Sequence, residues 1–162
     1  MNIPEWLPEM AMVDGVWEEV CAGLYAIFQK DIVKGGRVYK NRPVWWDRRV
    51  VDGEYEEGFW HLISVDDNEL QERLFDPRRA EKLPWCGPTI SNSDDGFVRA
   101  WDYQEGRKKI RTYLWLEPLD YVIIMEKQKK GGRDIAFLIT AYHIDGDSTR
   151  RRLMRKYQNR VP

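Results

Sequence analysis

The chain has 162 residues, of which 43% are hydrophobic, and this length suffices for one domain with a single core. No stretch reaches the roughly 18 apolar residues that a membrane-spanning helix needs, and the acidic N-terminus lacks the basic and then apolar order of a signal peptide. Two cysteines and two histidines are too few for a disulfide framework or a structural zinc site. The composition therefore predicts a cytoplasmic protein with no membrane segment, no metal and no small-molecule cofactor.

Charged residues are unevenly distributed along the chain, although the net charge is only −1. Residues 1–31 carry six acidic side chains and one lysine, whereas residues 148–160 carry six basic side chains and no acidic one. This asymmetry has two interpretations: an anionic partner binds the basic end, or the two ends pack together and neutralise each other.

Apolar residues predict a helical region over residues 4–30, within an N-terminal region 1–31. They recur at steps of three and four and give one apolar stripe, which consists of Trp6, Leu7, Met10, Val13, Trp17, Val20, Leu24 and Phe28. Gly15 and Gly23 weaken the pattern and allow two helices in place of one. We expect this stripe, including Trp17, to cover a sheet.

The central part of the chain predicts four shorter elements. Residues 37–46 are expected to be an edge strand or a loop, because Pro43 interrupts them. Residues 59–64 are predicted to be a strand, residues 68–81 a short helix and residues 84–88 a rigid loop between two prolines.

Three strand patterns follow one another in the C-terminal half, at residues 109–117, 121–126 and 135–144. The connections between them have the length of hairpin turns, and the second contains two adjacent glycines. This predicts an antiparallel meander, followed by a basic C-terminal helix at residues 148–160. The predicted fold class is α+β: a single domain, 1–162, with N-terminal helices packed on a mainly antiparallel sheet whose body spans 37–144.

The usual sequence motifs of enzymes are absent, so the candidates for chemistry are individual polar residues. His61 lies between apolar residues and is interpreted either as a core histidine or as a general acid or base. In the last strand, Leu138, Thr140 and Tyr142 are predicted to share one face. The two hydroxyls are suited to hold a phosphate, but both residue types also favour strands for packing reasons alone.

A second set of candidates combines positive charge with aromatic rings. Arg111, Tyr113 and Trp115 alternate on one face of the first meander strand, where they either bind phosphate and stack on bases or form an ordinary exposed sheet face. The basic patches are either solvated surface or a complement to a polyanion. They contain Arg78 and Arg79 in the centre of the chain and Arg150 and Arg151 near its C-terminal end.

The order of these segments resembles the phage-associated branch of the barnase–EndoU–colicin–RelE-like RNases. The resemblance covers about residues 57–145, and its motifs are FWHLIS, IRTYLWL, DYVIIME and FLITAYHID. It implies a small sheet packed on N-terminal helices and a metal-independent cleavage of RNA, in a toxin or an effector of a phage or another mobile element. It also implies catalytic roles for His61, Arg111, Thr140 and Tyr142.

Three functions remain open at this point. The first is an endoribonuclease that cleaves RNA by attack of the 2′-hydroxyl, with a cognate neutralising protein as a further partner. The second is a non-catalytic phage or plasmid protein that binds and inhibits a host protein through aromatic and arginine side chains. The third is a nucleic-acid-binding module without cleavage. The enzyme requires His61, Arg111 and Thr140 or Tyr142 around one cleft.

Overall fold

The structure, a computed structural model, describes residues 2–162, and in these residues it has an α+β fold with five α-helices and two β-sheets. The helices are α1 (Trp17–Phe28), which a π-helical turn (Gln29–Val33) extends, α2 (Glu57–Ile63), α3 (Pro77–Glu81), α4 (Leu83–Ser91) and α5 (Gly146–Gln158). The strands are β1 (Val38–Tyr39), β2 (Arg42–Trp45), β3 (Ser64–Asp67), β4 (Glu72–Phe75), β5 (Arg99–Gln104), β6 (Ile110–Leu116), β7 (Tyr121–Lys130) and β8 (Arg133–His143). The larger sheet has the order β1-β2-β8-β7-β6-β5, and β3 and β4 form a separate hairpin.

Strands β6, β7 and β8 form the predicted antiparallel meander. β7 and β8 are longer than predicted, because the polar residues 127–130 continue the ladder up to a tight turn. The turn is made by Gly131 and Gly132, whose φ angles of 56° and 78° are the positive values that a two-residue hairpin turn of this kind requires. Apolar patterning alone therefore locates a strand but misses its polar end.

The N-terminal region is helical only from Trp17 onwards, so the predicted helix over residues 4–30 is wrong in its first half. Pro8 and the positive φ of Gly15 (127°) are incompatible with a continuous helix there. The segment before α1 is instead held against the body by hydrogen bonds, one of which runs from Trp85 Nε1 to the Pro8 carbonyl at 2.8 Å.

Residues 59–63 belong to the helix α2, where the sequence predicts a strand over 59–64, and only Ser64 is in a strand, as the first residue of β3. Phe59, Leu62 and Ile63 are buried, and their spacing of three and four places them on one helical face. A short apolar run fits both periods, so its pattern alone cannot separate a strand from a helix.

Two further central predictions are wrong for local reasons. Residues 68–81 contain β4 and α3 in place of one helix, because the carboxylate of Asp76 begins α3 by accepting hydrogen bonds from the backbone N–H groups of Arg78 and Arg79. Residues 84–88 belong to α4 and not to a loop. Pro84 lies in the first turn of α4, where a missing N–H costs nothing.

Two hydrophobic cores lie on opposite faces of the meander. The larger contains buried residues of α1, α2 and α4, whereas the smaller lies under α5 and includes Trp101, Tyr113, Trp115 and Leu153. Tyr113 and Trp115 are 2% and 0% exposed, so these rings neither stack on bases nor form an exposed sheet face, the two alternatives that the sequence left open. The helix α5 covers that face, and Trp101 stacks on Tyr113 with ring centroids 5.1 Å apart.

The sheet is strongly curled. Its two edge strands, β1 and β5, come close enough for Tyr39 and Ala100 to line the same pocket. The turns of three hairpins, β1–β2, β5–β6 and β7–β8, lie together at one end of this curled sheet. We call this end the basic turn end. Its exposed cations are Lys40, Arg107, Lys108, Lys109, Lys129, Lys130 and Arg133. None of the helices within residues 2–162 is long and apolar enough to cross a membrane.

The strand β2 covers only part of one edge of β8. It runs parallel to β8 and pairs with it through Val44 with Ala136 and Trp45 with Phe137. Beyond Phe137, the helices α2 and α3 lie against this edge, where side-chain hydrogen bonds replace the ladder.

A β-bulge changes the direction of side chains in the same part of β8. The pairing with β7 skips Ile139, which is the extra residue of the bulge. Leu138 consequently packs in the larger core, whereas Thr140 and Tyr142 face the other side. The predicted common face of Leu138, Thr140 and Tyr142 therefore holds only for the last two.

Candidate active site

A pocket of about 340 Å³ lies at the open edge of β8. It is lined by residues of α2, the β3–β4 hairpin, α3 and β8, namely His61, Ser64, Val65, Asp66, Arg73, Arg79, Ile139, Thr140 and Tyr142. Three of the four residues predicted to be catalytic are in this set: His61, Thr140 and Tyr142. We call this pocket the arginine pocket, because it contains two guanidinium groups.

His61 lies near the C-terminal end of α2 and is neutral in this arrangement. Its Nδ1 atom is 3.2 Å from Nη1 of Arg73. A guanidinium only donates hydrogen bonds, so Nδ1 accepts and the imidazole carries its proton on Nε2. Burial, and then the charge of Arg73, lower the pKa of His61 below its usual range.

Arg79 is a largely buried cation whose charge is incompletely compensated. Its side chain is 13% exposed, and the nearest carboxylate oxygen, that of Asp76, is 3.8 Å from Nε. Nη1 donates to the His61 carbonyl at 2.9 Å and to the hydroxyl of Thr140 at 3.2 Å. Nε has no hydrogen-bond partner within residues 2–162. A buried charge in this state favours an anionic ligand, because the ligand offsets its desolvation.

Thr140 fixes the position of Arg79 and of the end of α2. Its hydroxyl donates to the His61 carbonyl at 2.8 Å and accepts from Arg79, so its proton is already engaged. The expectation that this hydroxyl donates directly to a phosphate does not fit this arrangement. Thr140 is therefore a positioning residue in the pocket, and the bulge at Ile139 places it at the edge of the sheet.

Tyr142 forms an apolar and weakly acidic wall of the arginine pocket. The guanidinium of Arg79 lies over its ring, with Cζ 5.5 Å from the centroid. Burial raises the pKa of the Tyr142 phenol, so the hydroxyl keeps its proton at neutral pH.

Arg73 of β4 completes the pocket, and sequence reasoning missed it. Besides His61, it lies within 3.6 Å of a Glu57 oxygen and 3.4 Å of an Asp66 oxygen. The segment was predicted to be a helix, which hides its alternation. In β4 the exposed Glu72 and Leu74 alternate with the half-buried Arg73 and Phe75. That period of two is the signal that locates Arg73 on the inner face.

Arg111, the fourth predicted catalytic residue, lies away from the arginine pocket. It is on β6, opposite Tyr103 of β5, and its Nε atom is 3.8 Å from a Glu126 carboxylate oxygen. Arg111 therefore belongs to an ion pair of the meander. The arginine pocket contains Arg79 in place of the Arg111 that the sequence analysis expected there.

The remaining basic candidates surround the pocket or lie elsewhere. Arg78 donates to Nε2 of His143 and to the carboxylate of Asp145, at 3.2 and 3.0 Å. Arg150 is bound to Asp120 and to Asp147, at 2.8 and 2.6 Å. Arg151 is exposed on α5.

Within residues 2–162, no group of three or more His, Cys, Asp or Glu residues is arranged to hold a metal ion. Comparison of the chain with models of protein families, with curated proteins and with solved structures found no match.

Proposed function

We propose that the arginine pocket binds the phosphodiester of RNA and that the protein is a metal-independent endoribonuclease. The observation that carries this proposal is Arg79, a largely buried guanidinium without a close carboxylate partner, which lines the pocket together with a neutral histidine. Arginine matches phosphate geometrically, and its charge stabilises the additional negative charge that develops on phosphorus.

The chemistry requires one base and one acid. His61 removes the proton from the ribose 2′-hydroxyl, and its Nδ1 becomes available for this when Arg73 turns towards the bound phosphate. The 2′-oxygen forms a bond to phosphorus, and the bond from phosphorus to the 5′-oxygen breaks. The Tyr142 hydroxyl gives its proton to the leaving 5′-oxygen. The products are a 2′,3′-cyclic phosphate and a 5′-hydroxyl end.

The direct test is cleavage of an RNA oligonucleotide by wild type and by His61→Ala and His61→Asn, with and without a chelator. We expect both variants to lose activity by roughly 10²–10⁴-fold, the usual effect of removing a positioned acid or base. Asparagine keeps an acceptor for Arg73, so it separates the loss of the base from the loss of structure. The chelator should have no effect.

Arg111→Gln is the matched control, because it removes an arginine of the sheet that lies outside the pocket. It should cleave as wild type does, and DNA of the same sequence should remain intact because it has no 2′-hydroxyl. Equal activity of wild type and both His61 variants would contradict the proposal. RNA binding without any cleavage would instead support the nucleic-acid-binding module.

A further prediction separates the geometry of the guanidinium from its charge. Arg79→Lys keeps a cation but loses the planar fork, which bonds at the same time to the His61 carbonyl and to Thr140. We expect kcat/KM to fall at least about tenfold. Unchanged kinetics of Arg79→Lys would show that the pocket uses Arg79 only as a point charge.

A further inference from the structure

A second pocket, of about 390 Å³, adjoins the arginine pocket. Its lining is mainly aromatic and apolar, with a few polar groups: Trp17, Val51, Asp52, Glu57, Trp60, Ser64, Arg73 and Phe75. Ser64 and Arg73 also line the arginine pocket, so the two cavities share a wall. We call the second cavity the tryptophan pocket.

One aromatic side chain of the tryptophan pocket, that of Trp17, is exposed, and two others are half-buried. Trp17 is 43% exposed at the start of α1 and meets Phe75 of β4 edge to face, with ring centroids 4.8 Å apart. In the other wall, Trp60 contributes a half-buried indole. Exposed aromatic surface that lines a concave site is typical of ligand binding, since it would otherwise be buried in a core.

We infer that the tryptophan pocket is the subsite for an unpaired nucleobase of the RNA whose phosphate lies in the arginine pocket. This inference rests on the proposed function. A base and its phosphate are joined through one ribose, and two cavities that share Arg73 are arranged for such a linked pair. The rings supply stacking surfaces, and the carboxylates of Glu57 and Asp52 line the same pocket as acceptors for the polar edge of a base.

The subsite also defines the class of substrate. A base in a duplex is stacked and paired, and it can enter a side pocket only after both interactions are broken. Single-stranded RNA, or a loop with a splayed base, does not have this cost. The protein should therefore bind and cleave single-stranded RNA in preference to the same strand annealed to its complement.

The test measures by equilibrium titration the affinities of two kinds of probe, inorganic phosphate and the four nucleoside 5′-monophosphates. In wild type, the best nucleotide should bind more tightly than phosphate and should quench tryptophan fluorescence. Trp17→Ala should weaken nucleotide binding by about tenfold or more, the usual effect of removing a stacking partner, without changing phosphate binding. Trp17→Phe should retain most of the affinity, because it keeps a ring.

Two controls make the outcomes distinguishable. Met12→Ala removes an 81% exposed apolar side chain that is not part of the pocket and should change nothing. Arg79→Gln should weaken the binding of both phosphate and nucleotide. If phosphate binds and Trp17→Ala leaves nucleotide affinity unchanged, the base subsite is wrong while the phosphate pocket stands. If neither probe binds to wild type, the proposed function fails and the subsite fails with it.

Discussion

Three residues that are distant in sequence meet at one carbonyl oxygen in the arginine pocket. The His61 carbonyl accepts hydrogen bonds from Arg79 at 2.9 Å and from Thr140 at 2.8 Å. The carbonyl belongs to the last turn of α2, where helix geometry leaves such oxygens without a partner in the helix. The open end of α2 thus becomes the support for the buried guanidinium.

Replacing Thr140 tests this support. Thr140→Val has nearly the same shape but cannot donate to the His61 carbonyl or accept from Arg79. We expect a loss of stability of about 0.5–1.5 kcal/mol, the net contribution of a side-chain hydrogen bond, because the His61 carbonyl keeps its bond to Arg79. We also expect a lower kcat/KM, because Arg79 loses one of its two anchors. Thr140→Ser should restore both properties, which denaturant unfolding and cleavage kinetics can measure.

The two histidines make folding stability depend on pH. Burial is the largest cause that lowers the pKa of both His61 and His143 below 6.5, so the folded protein resists their protonation. The unfolded chain binds more protons between the lowered values and 6.5. The stability contribution is therefore complete above pH 6.5 and is lost as the pH falls through the folded-state pKa values.

We expect the free energy of unfolding to decrease from pH 7 towards pH 5. His61→Asn and His143→Asn should each make this decrease smaller, and the double variant should reduce it most. Chemical denaturation at several pH values measures the slope. A slope that is equal in wild type and in the double variant would assign the acid sensitivity to other groups.

The apolar stripe of α1 contacts two different surfaces, which its sequence pattern did not show. The apolar stripe is real over Val20, Leu24 and Phe28, which are buried, but Trp17 belongs to the tryptophan pocket and not to the core. The stripe has one period, yet its members serve two different surfaces. The sequence-based expectation that Trp17 is a core residue is therefore wrong.

Stability measurements can separate these two surfaces. Phe28 is 0% exposed, so Phe28→Ala should destabilise the protein by about 3–5 kcal/mol, the typical cost of removing a buried large aromatic ring. Trp17→Ala should cost less than about 1 kcal/mol, because its side chain is already partly solvated. Similar unfolding midpoints for the two variants would contradict this assignment.

The elements differ in how well their sequences predict them. β6, β7 and β8 each have at least seven residues with a clear apolar pattern and turn-length connections, and these strands were predicted correctly. α2 has seven residues, and the period of so short a run is ambiguous. The β-bulge at Ile139 and the capping of α3 by Asp76 depend on tertiary neighbours, which no local pattern shows.

The candidate site was predicted in part for the same reasons. His61, Thr140 and Tyr142 line one pocket, although His61 lies on a helix, and their catalytic roles stay a prediction. Arg111 was chosen because it alternates with aromatic residues, but the same alternation directs Tyr113 and Trp115 into the core under α5. Arg73 and Arg79 become visible as site residues only when α3 and the β3–β4 hairpin are placed against β8.

At the scale of the molecule, positive charge is concentrated at the basic turn end. On β8, the basic turn end includes Arg133, and Thr140 of the arginine pocket lies seven residues further along the strand. At the usual rise of a strand, this separates the two residues by about 23 Å. Its seven exposed cations outnumber the acidic Glu105 and Asp134, of which Asp134 lies 3.8 Å from Lys129, so a net charge of −1 coexists with a locally positive surface. With the function proposed above, an RNA strand of several nucleotides bound at the arginine pocket would span this distance.

Salt dependence tests the role of this end. Lys129→Gln combined with Lys130→Gln should weaken RNA binding and reduce the slope of log affinity against log salt by about 1.4, since each single-strand phosphate contact contributes about 0.7. The rate at saturating RNA should remain unchanged. Lys34→Gln, an exposed lysine outside the turn end, is the control. An unchanged slope in the double variant would show that RNA does not contact these lysines.

The hydrogen bond between His61 and Thr140 joins residues 79 positions apart, and it has a consequence for the time at which the proposed activity would begin during synthesis. The first 91 residues supply His61, Arg73 and Arg79, whereas Thr140 and Tyr142 follow the irregular connection at residues 92–98. A chain emerging from the ribosome has no complete pocket until β8 has been synthesised and docked. Two fragments divided within that connection should each be inactive, and mixing them should restore cleavage only when β8 docks against α2 and α3.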